Sequence, residues 1–173
     1  MGAQQPPNTS LLIPNKFVLS FARLPNVQFF CQTVNLPGIN LGTYPRSTPF
    51  VDYSVPGEKL IYDPLTVTFL VDEDLATWRE IHDWMRGLGF PTDFQEYRDL
   101  NKLSKVASTK TPQVSDAAVV ILNSNTRGNY RFKFIDAFPS SLAPFTLSTL
   151  TGSETVLTAD ATFSFSYFDI EKI

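Results

Sequence analysis

At 173 residues, with 18% charged residues and a formal charge of −3, the chain can build one domain with a sizeable core but is short for two. Its charged fraction lies below the roughly 25% of average soluble domains, and fifteen Phe with two Trp fit either a Phe-rich β core or a subunit buried on several sides. The mildly acidic balance argues against a protein that grips nucleic acid through its phosphates, and one cysteine excludes a disulfide framework or a multi-cysteine metal site.

Residues 1–14 read as a flexible polar arm. They have no basic start and no long apolar run, so no secretory signal is expected. No window reaches the roughly 18 apolar residues of a membrane span, so no membrane anchor is expected either, and assembly in the cytoplasm follows. From residue 15 to 173 the pattern is that of a single β domain. Lys16 to Arg23 alternates, with Phe17, Leu19 and Phe21 on one face. Leu24-Pro25-Asn26 predicts a turn, and Val27 to Asn35 a second strand carrying Cys31 as a small apolar side chain. The LPGINLG segment should then break the sheet.

Residues 43–62 contain Pro45, Pro49 and Pro56, too many for central strands, and predict a protruding hairpin or loop. Next comes DPLTVTFLVDEDLATWREIHDWMRGLG (Asp63 to Gly89), where the hydrophobic period changes from two to about 3.6. Leu65, Val67, Phe69 and Val71 alternate as a strand. Asp72 and Asp74, with Glu73 between them, supply a helix cap and negative charge at a helix start. Leu75, Trp78, Ile81, Met85 and Leu88 form one stripe, and Gly87 or Gly89 can end what reads as the only strong helix.

Residues 91–116 have mixed charge and weak periodicity. They read as an exposed excursion, with room for a short helix around Asp93 to Leu103, and they hold the densest lysine run, Lys102, Lys105 and Lys110. Ala117 to Leu122 predicts a buried strand, and Tyr130, Phe132 and Phe134 alternate on the next one. Pro139 and Pro144 bracket a loop before a short strand from Phe145, and Gly152 turns into a last strand, Ala161 to Ile170. There Phe163, Phe165 and Tyr167 make a bulky core face, and Thr162, Ser164 and Ser166 a small polar one.

Chemistry is nearly absent. A zinc site needs three or four ligands and His82 stands alone. Nor does any Ser-His-Asp or Cys-His set suggest a nucleophile. Asp72, Glu73 and Asp74 could bind a cation or act as paired carboxylates, but capping accounts for them more simply. No enzyme, metal or cofactor is expected.

Three stretches carry a resemblance. The strand ending in acidic residues and running into a Trp-bearing helix, the Leu-Pro turn of VNLPGINLG, and the closing FIDAFPSSLAPFTLS and TADATFSFSYFDI together resemble the tail-tube proteins of contractile-tailed bacteriophages. The likeness spans roughly residues 15 to 170 and is poor from Pro91 to Ser115. It implies a β-barrel or sandwich of about seven or eight strands with one flanking helix, whose subunits form hexameric rings that stack into a tube. Partners would be further copies of the chain, a sheath protein, and baseplate and tail-terminator proteins, with DNA passing through unbound. The 43–62 extension, with Tyr44, Arg46, Phe50, Asp52, Tyr53, Glu58 and Lys59, would contact the neighbouring ring, and Thr162, Ser164 and Ser166 would face the lumen. A baseplate tube initiator or a tube protein of a contractile injection or secretion system shares this pattern. Readings of other classes are a carbohydrate- or receptor-binding β-domain and a small β-barrel enzyme using Asp72 or Asp74.

Overall fold

The computed structural model describes residues 11–106, 113–149 and 156–173. Residues 1–10 of the arm, Lys110 and the Gly152 turn lie outside the described residues.

Among the described residues, nine strands and three helices follow the order β1 (Phe17–Phe21), α1 (Pro25–Phe30), β2 (Cys31–Asn35), β3 (Ile39–Ser47), β4 (Asp52–Tyr62), β5 (Leu65–Leu70), α2 (Ala76–Gly89), α3 (Phe94–Val106), β6 (Ser115–Leu122), β7 (Gly128–Leu142), β8 (Thr158–Ser164) and β9 (Tyr167–Lys172). All ladders are antiparallel. Seven strands run β1-β6-β7-β8-β5-β2, with β9 also on β7, while β3 and β4 pair only with each other. The mainly β architecture read from the sequence is therefore the observed one.

β7 is what folds this sheet over. Its first half, up to Ile135, lies between β6 and β9, and its second half, from Phe138, pairs with β8. Between them Asp136 takes φ 55°, the positive φ of a bulge residue that bends a strand. The two halves then face each other across a core of Phe, Leu, Val and Ala. Phe21 of β1 meets Phe163 of β8 at 4.8 Å, and Phe134 of β7 meets Phe165 at 5.0 Å. Leu65, Val67 and Phe69 on the central β5 are fully buried, as their alternation predicted. Pro139, expected in a loop, lies inside β7 opposite Phe163. It is tolerated because this half of β7 has an open side, where proline's missing N–H breaks no ladder.

The last strand is two strands. β8 ends at Ser164, the chain turns through Phe165 and Ser166, and β9 pairs with the other half of β7. The Ser166 N–H donates to the Ile135 carbonyl (3.0 Å), and its hydroxyl lies 3.4 Å from Asp136 Oδ2. The crossover resets the period of two, so Phe168 rather than Tyr167 joins the Phe132–Phe134–Phe165 cluster, and Tyr167 is exposed. Residues 143–148, expected to include a short strand, are irregular, and Phe145 packs edge-on to Trp78.

Helices exceed expectation. Pro25 begins α1 where a turn and strand were predicted; its fixed φ suits the first helical position. What fixes α1 comes from α2: the Glu80 carboxylate accepts the N–H groups of Asn26 (3.2 Å) and Val27 (3.4 Å) and the Asn26 side-chain amide (2.7 Å). Within α2 the buried residues are Thr77, Ile81, Trp84 and Gly87. The expected stripe is therefore rotated, with Trp78, Met85 and Leu88 at its half-buried margin and Leu75 exposed. The cause is α3, a longer and better packed helix than the short one allowed for around Asp93 to Leu103 in a stretch otherwise expected to be an exposed excursion. Leu100 of α3 is buried directly over Gly87; a Cβ there would come within 3.0 Å of the leucine's Cβ. Gly87 thus serves helix packing, and α2 continues to Gly89, where the Phe90 N–H (φ 31°) bonds back to the Arg86 carbonyl at 2.7 Å. An Arg86–Glu96 ion pair and an Arg23 bond to the Leu100 carbonyl (3.3 Å) hold α3 in place.

Candidate assembly surfaces

No residue of the β3–β4 hairpin is fully buried. A lone two-stranded ribbon is at best marginally stable in water, and this one displays Ile39, Leu41, Tyr44, Phe50, Val51, Tyr53, Leu60 and Ile61 to solvent. At its base Tyr62 packs tilted against Phe165 and edge-on to Phe168 (5.9 and 5.4 Å), and the Asp63 N–H donates to the Gly38 carbonyl at 3.1 Å. The apex turns through Thr48, whose hydroxyl donates to the Val51 carbonyl at 2.6 Å, leaving Phe50 98% exposed. Register pairs Tyr44 with Val55 and Arg46 with Tyr53, so two tyrosines, a valine and a guanidinium share one face of the tip. Asp52 pairs with Ser47 at the apex, and Glu58 and Lys59 fall at an irregularity described below. Apolar surface of this extent on an unpartnered element is the signature of an interface.

The outward faces of the two sheet halves differ in chemistry. On β8, Ala159, Ala161 and Phe163 point inward, so Thr158, Asp160, Thr162 and Ser164 point out. Opposite them stand Thr66 on Thr162 and Thr68 on Asp160, with the Thr68 hydroxyl donating to Asp160 Oδ1 at 2.6 Å. The β2 positions in register, Thr33 and Asn35, are polar too. These positions carry hydroxyls, an amide and one carboxylate, and no basic group. On the other half, Arg131 and Lys133 of β7 lie opposite Glu171 and Asp169 of β9, an ionic ladder with Arg131 3.9 Å from Glu171. Thr162 and Ser164 belong to the hydroxyl-rich face, whereas Ser166 sits in the β8–β9 crossover.

Asp72 caps α2 from three residues before the helix's own cap position. Leu75 holds that position at φ 56°, and the Asp72 carboxylate reaches over it to accept the N–H groups of Ala76 (3.0 Å) and Thr77 (2.9 Å) and the Thr77 hydroxyl (2.6 Å). The Thr77 bonds hold its carboxyl down at about 2. Asp74 takes no part in the cap. A carboxylate near 3.9 in the unfolded chain and about 2 in the fold lends stability above the higher value and loses it as pH falls through the lower. Thermal melts should therefore be level from neutral pH to about 5 and fall toward pH 2. Asp72→Asn, which caps without titrating, should flatten that acid limb, and Asp72→Ala should lower the melting temperature already at pH 7. An unchanged acid limb in Asp72→Asn would contradict this role.

Catalytic groups do not converge. His82 lies flat on Trp78 (5.1 Å, 17°), 3.2 Å from Asp83. Burial pushes the Cys31 thiol up to about 11, far from a reactive thiolate. Among the described residues no three His, Cys, Asp or Glu side chains are placed to share a metal ion, and no helix is long and apolar enough to cross a membrane.

The described residues thus form a folded-over β sheet with an unpartnered, apolar β3–β4 hairpin. Comparison with known proteins agrees: residues 14–171 match the model of a phage tail tube protein family, and the chain belongs to that family. It is 30% identical over 145 residues to the tail tube terminator protein of Enterobacteria phage T4, covering 82% of this chain and 76% of that one. Its fold is also that of the tube-terminating cap of the anti-feeding prophage, with TM-score 0.64 and 14% identity over 100% of this chain and 95% of the other. The sheath–tube complex of an extracellular contractile injection system is similar at TM-score 0.58, with 12% identity over 95% and 94% of the two chains. The chain is accordingly a structural component of a phage-type tail, and not an enzyme.

Proposed function

We propose that this chain is the terminal ring subunit of a contractile-tail tube: six copies form one ring that seats on the last tube ring and continues its lumen. The observation that carries this reading is the 30% identity over 145 residues to a tube terminator. The family match over residues 14–171 supports tube architecture equally for a repeated subunit. In the ring, the β3–β4 hairpin carries Tyr44, Arg46, Phe50 and Tyr53 to a second copy or to the adjoining tube ring. The Thr- and Ser-rich face with Thr162 and Ser164 lines the lumen. A wall with hydroxyls, one carboxylate and no basic group gives passing DNA nothing to hold phosphates with. Sheath and baseplate proteins are the remaining partners.

Electron microscopy and sedimentation over a range of protein concentrations test the reading. A terminator should give single six-fold rings whose height does not increase with concentration. Open-ended tubes growing from the purified chain alone would assign it to the repeated subunit instead.

A further inference from the structure

Midway along the hairpin its two strands fall out of step. Leu41 pairs with Leu60 and Thr43 with Pro56, so a single residue, Gly42, faces three, Gly57, Glu58 and Lys59. Such a bulge bends a ribbon. Here it separates a base, whose Tyr62 packs against the core aromatics Phe165 and Phe168, from a tip carrying Tyr44, Arg46, Tyr53 and Val55. The two glycines at the bend are not equivalent. A Cβ on Gly57 would fall inside contact distance of the Gly42 carbonyl oxygen and 2.9 Å from its carbon. A Cβ on Gly42 would meet nothing nearer than the Lys59 carbonyl oxygen, at 3.9 Å. No described glycine has positive φ, so backbone conformation demands glycine at neither position. At Gly57 the demand is steric: backbone passes against backbone, and only a missing side chain lets it.

We infer that Gly57 is a positioning residue for assembly: its contact with the Gly42 backbone sets the angle at which the hairpin tip is presented to the next copy. The neighbour it would push is main chain, so a methyl group at residue 57 cannot be absorbed by a rotamer change and must open the bend. The tip lies outside the core, so the misdirection leaves the domain folded. This inference rests on the proposed tip contact in the form it takes with a second copy of the chain.

Three variants of the full chain separate the two ideas: Gly57→Ala, Gly42→Ala, and replacement of residues 44–59 by a short Gly-Ser linker. Melting temperature reads the domain, hydrogen exchange over Thr43–Ser47 reads whether the tip is still paired, and sedimentation reads assembly. Gly57→Ala should keep the wild-type melt and a protected tip, yet need about tenfold or more protein to form rings, equivalent to about 1.4 kcal/mol per contact. Gly42→Ala should assemble as wild type. If the linker variant assembles normally, the tip contact itself is wrong and the inference falls with it. If the linker variant fails to assemble but Gly57→Ala assembles normally, only the inference is overturned. Equal defects at both glycines, an unprotected tip or an unfolded domain in Gly57→Ala would overturn it too, since Gly57 would then hold the hairpin or fold together rather than aim it.

Discussion

Replacing Phe163 with Ala should strongly destabilise the subunit. Phe163 is fully buried, stacks 4.8 Å from Phe21 of the opposite sheet half, and sits on β8 between Leu65 of β5 and Pro139 of β7. It therefore joins both halves of the sandwich at once. Truncating a buried Phe costs about 3–5 kcal/mol, set against a total stability of roughly 5–15 kcal/mol. For a chain of this length each kcal/mol moves the midpoint by about 2–4 °C, so a fall of roughly 6–20 °C is expected. Its neighbour Ser164 points the other way, onto the hydroxyl-rich face. Ser164→Asp should melt within a degree or two of wild type, because a carboxylate that keeps its water carries no burial cost. Circular dichroism melts of both variants check the orientation of β8. A tolerated Phe163→Ala beside a collapsed Ser164→Asp would turn the strand over and place the lumen on the wrong face.

Removing the hairpin should have the opposite signature. With residues 44–59 replaced by a Gly-Ser linker, the domain loses no fully buried side chain and should keep its melting temperature closely. Stacking on another ring should be lost, because the tyrosines and Phe50 that need covering have gone. Sedimentation would show a folded monomer, or small oligomers held by other edges, with no stacked species. Normal seating of this variant on tube ends would take the hairpin out of the mechanism, and the lumen assignment would then stand without it.

Local patterns disclosed most of this fold, and the failures have a common cause. β1, β5 and β6 alternate over short runs with one face against the core, and a period of two is a local property. The hairpin was legible as a protrusion because its prolines forbid a central position. α2 was legible from its 3.6-residue period, but α1 was not, and α3 reads only as room for a short helix in an exposed stretch. α1 depends on Glu80, more than fifty positions away, to satisfy its first N–H groups, and nothing near Pro25 announces that. α3 depends on Leu100 finding Gly87, a glycine that from sequence looks like a helix terminator. The last strand misled for a third reason. The run alternates cleanly from Ala161 to Tyr167, and the break in phase at Phe168 marks where β7, bent at Asp136, takes the chain from one sheet half to the other. Of the assembly residues, those of the tip were readable because they are apolar and Pro-flanked. The Gly42–Gly57 crossing was not, because a glycine in a strand says nothing of what passes beside it.

The location of the chain within an assembled particle tests the proposed function most directly. A short epitope tag placed after Ile173, exposed beyond β9, labelled with gold and viewed on extended tails, distinguishes the possibilities in one image. Label confined to the tube end away from the baseplate is the expected result. Label repeated along the whole tube, or gathered at the baseplate, would contradict a terminator and return the chain to the role of repeated subunit or initiator.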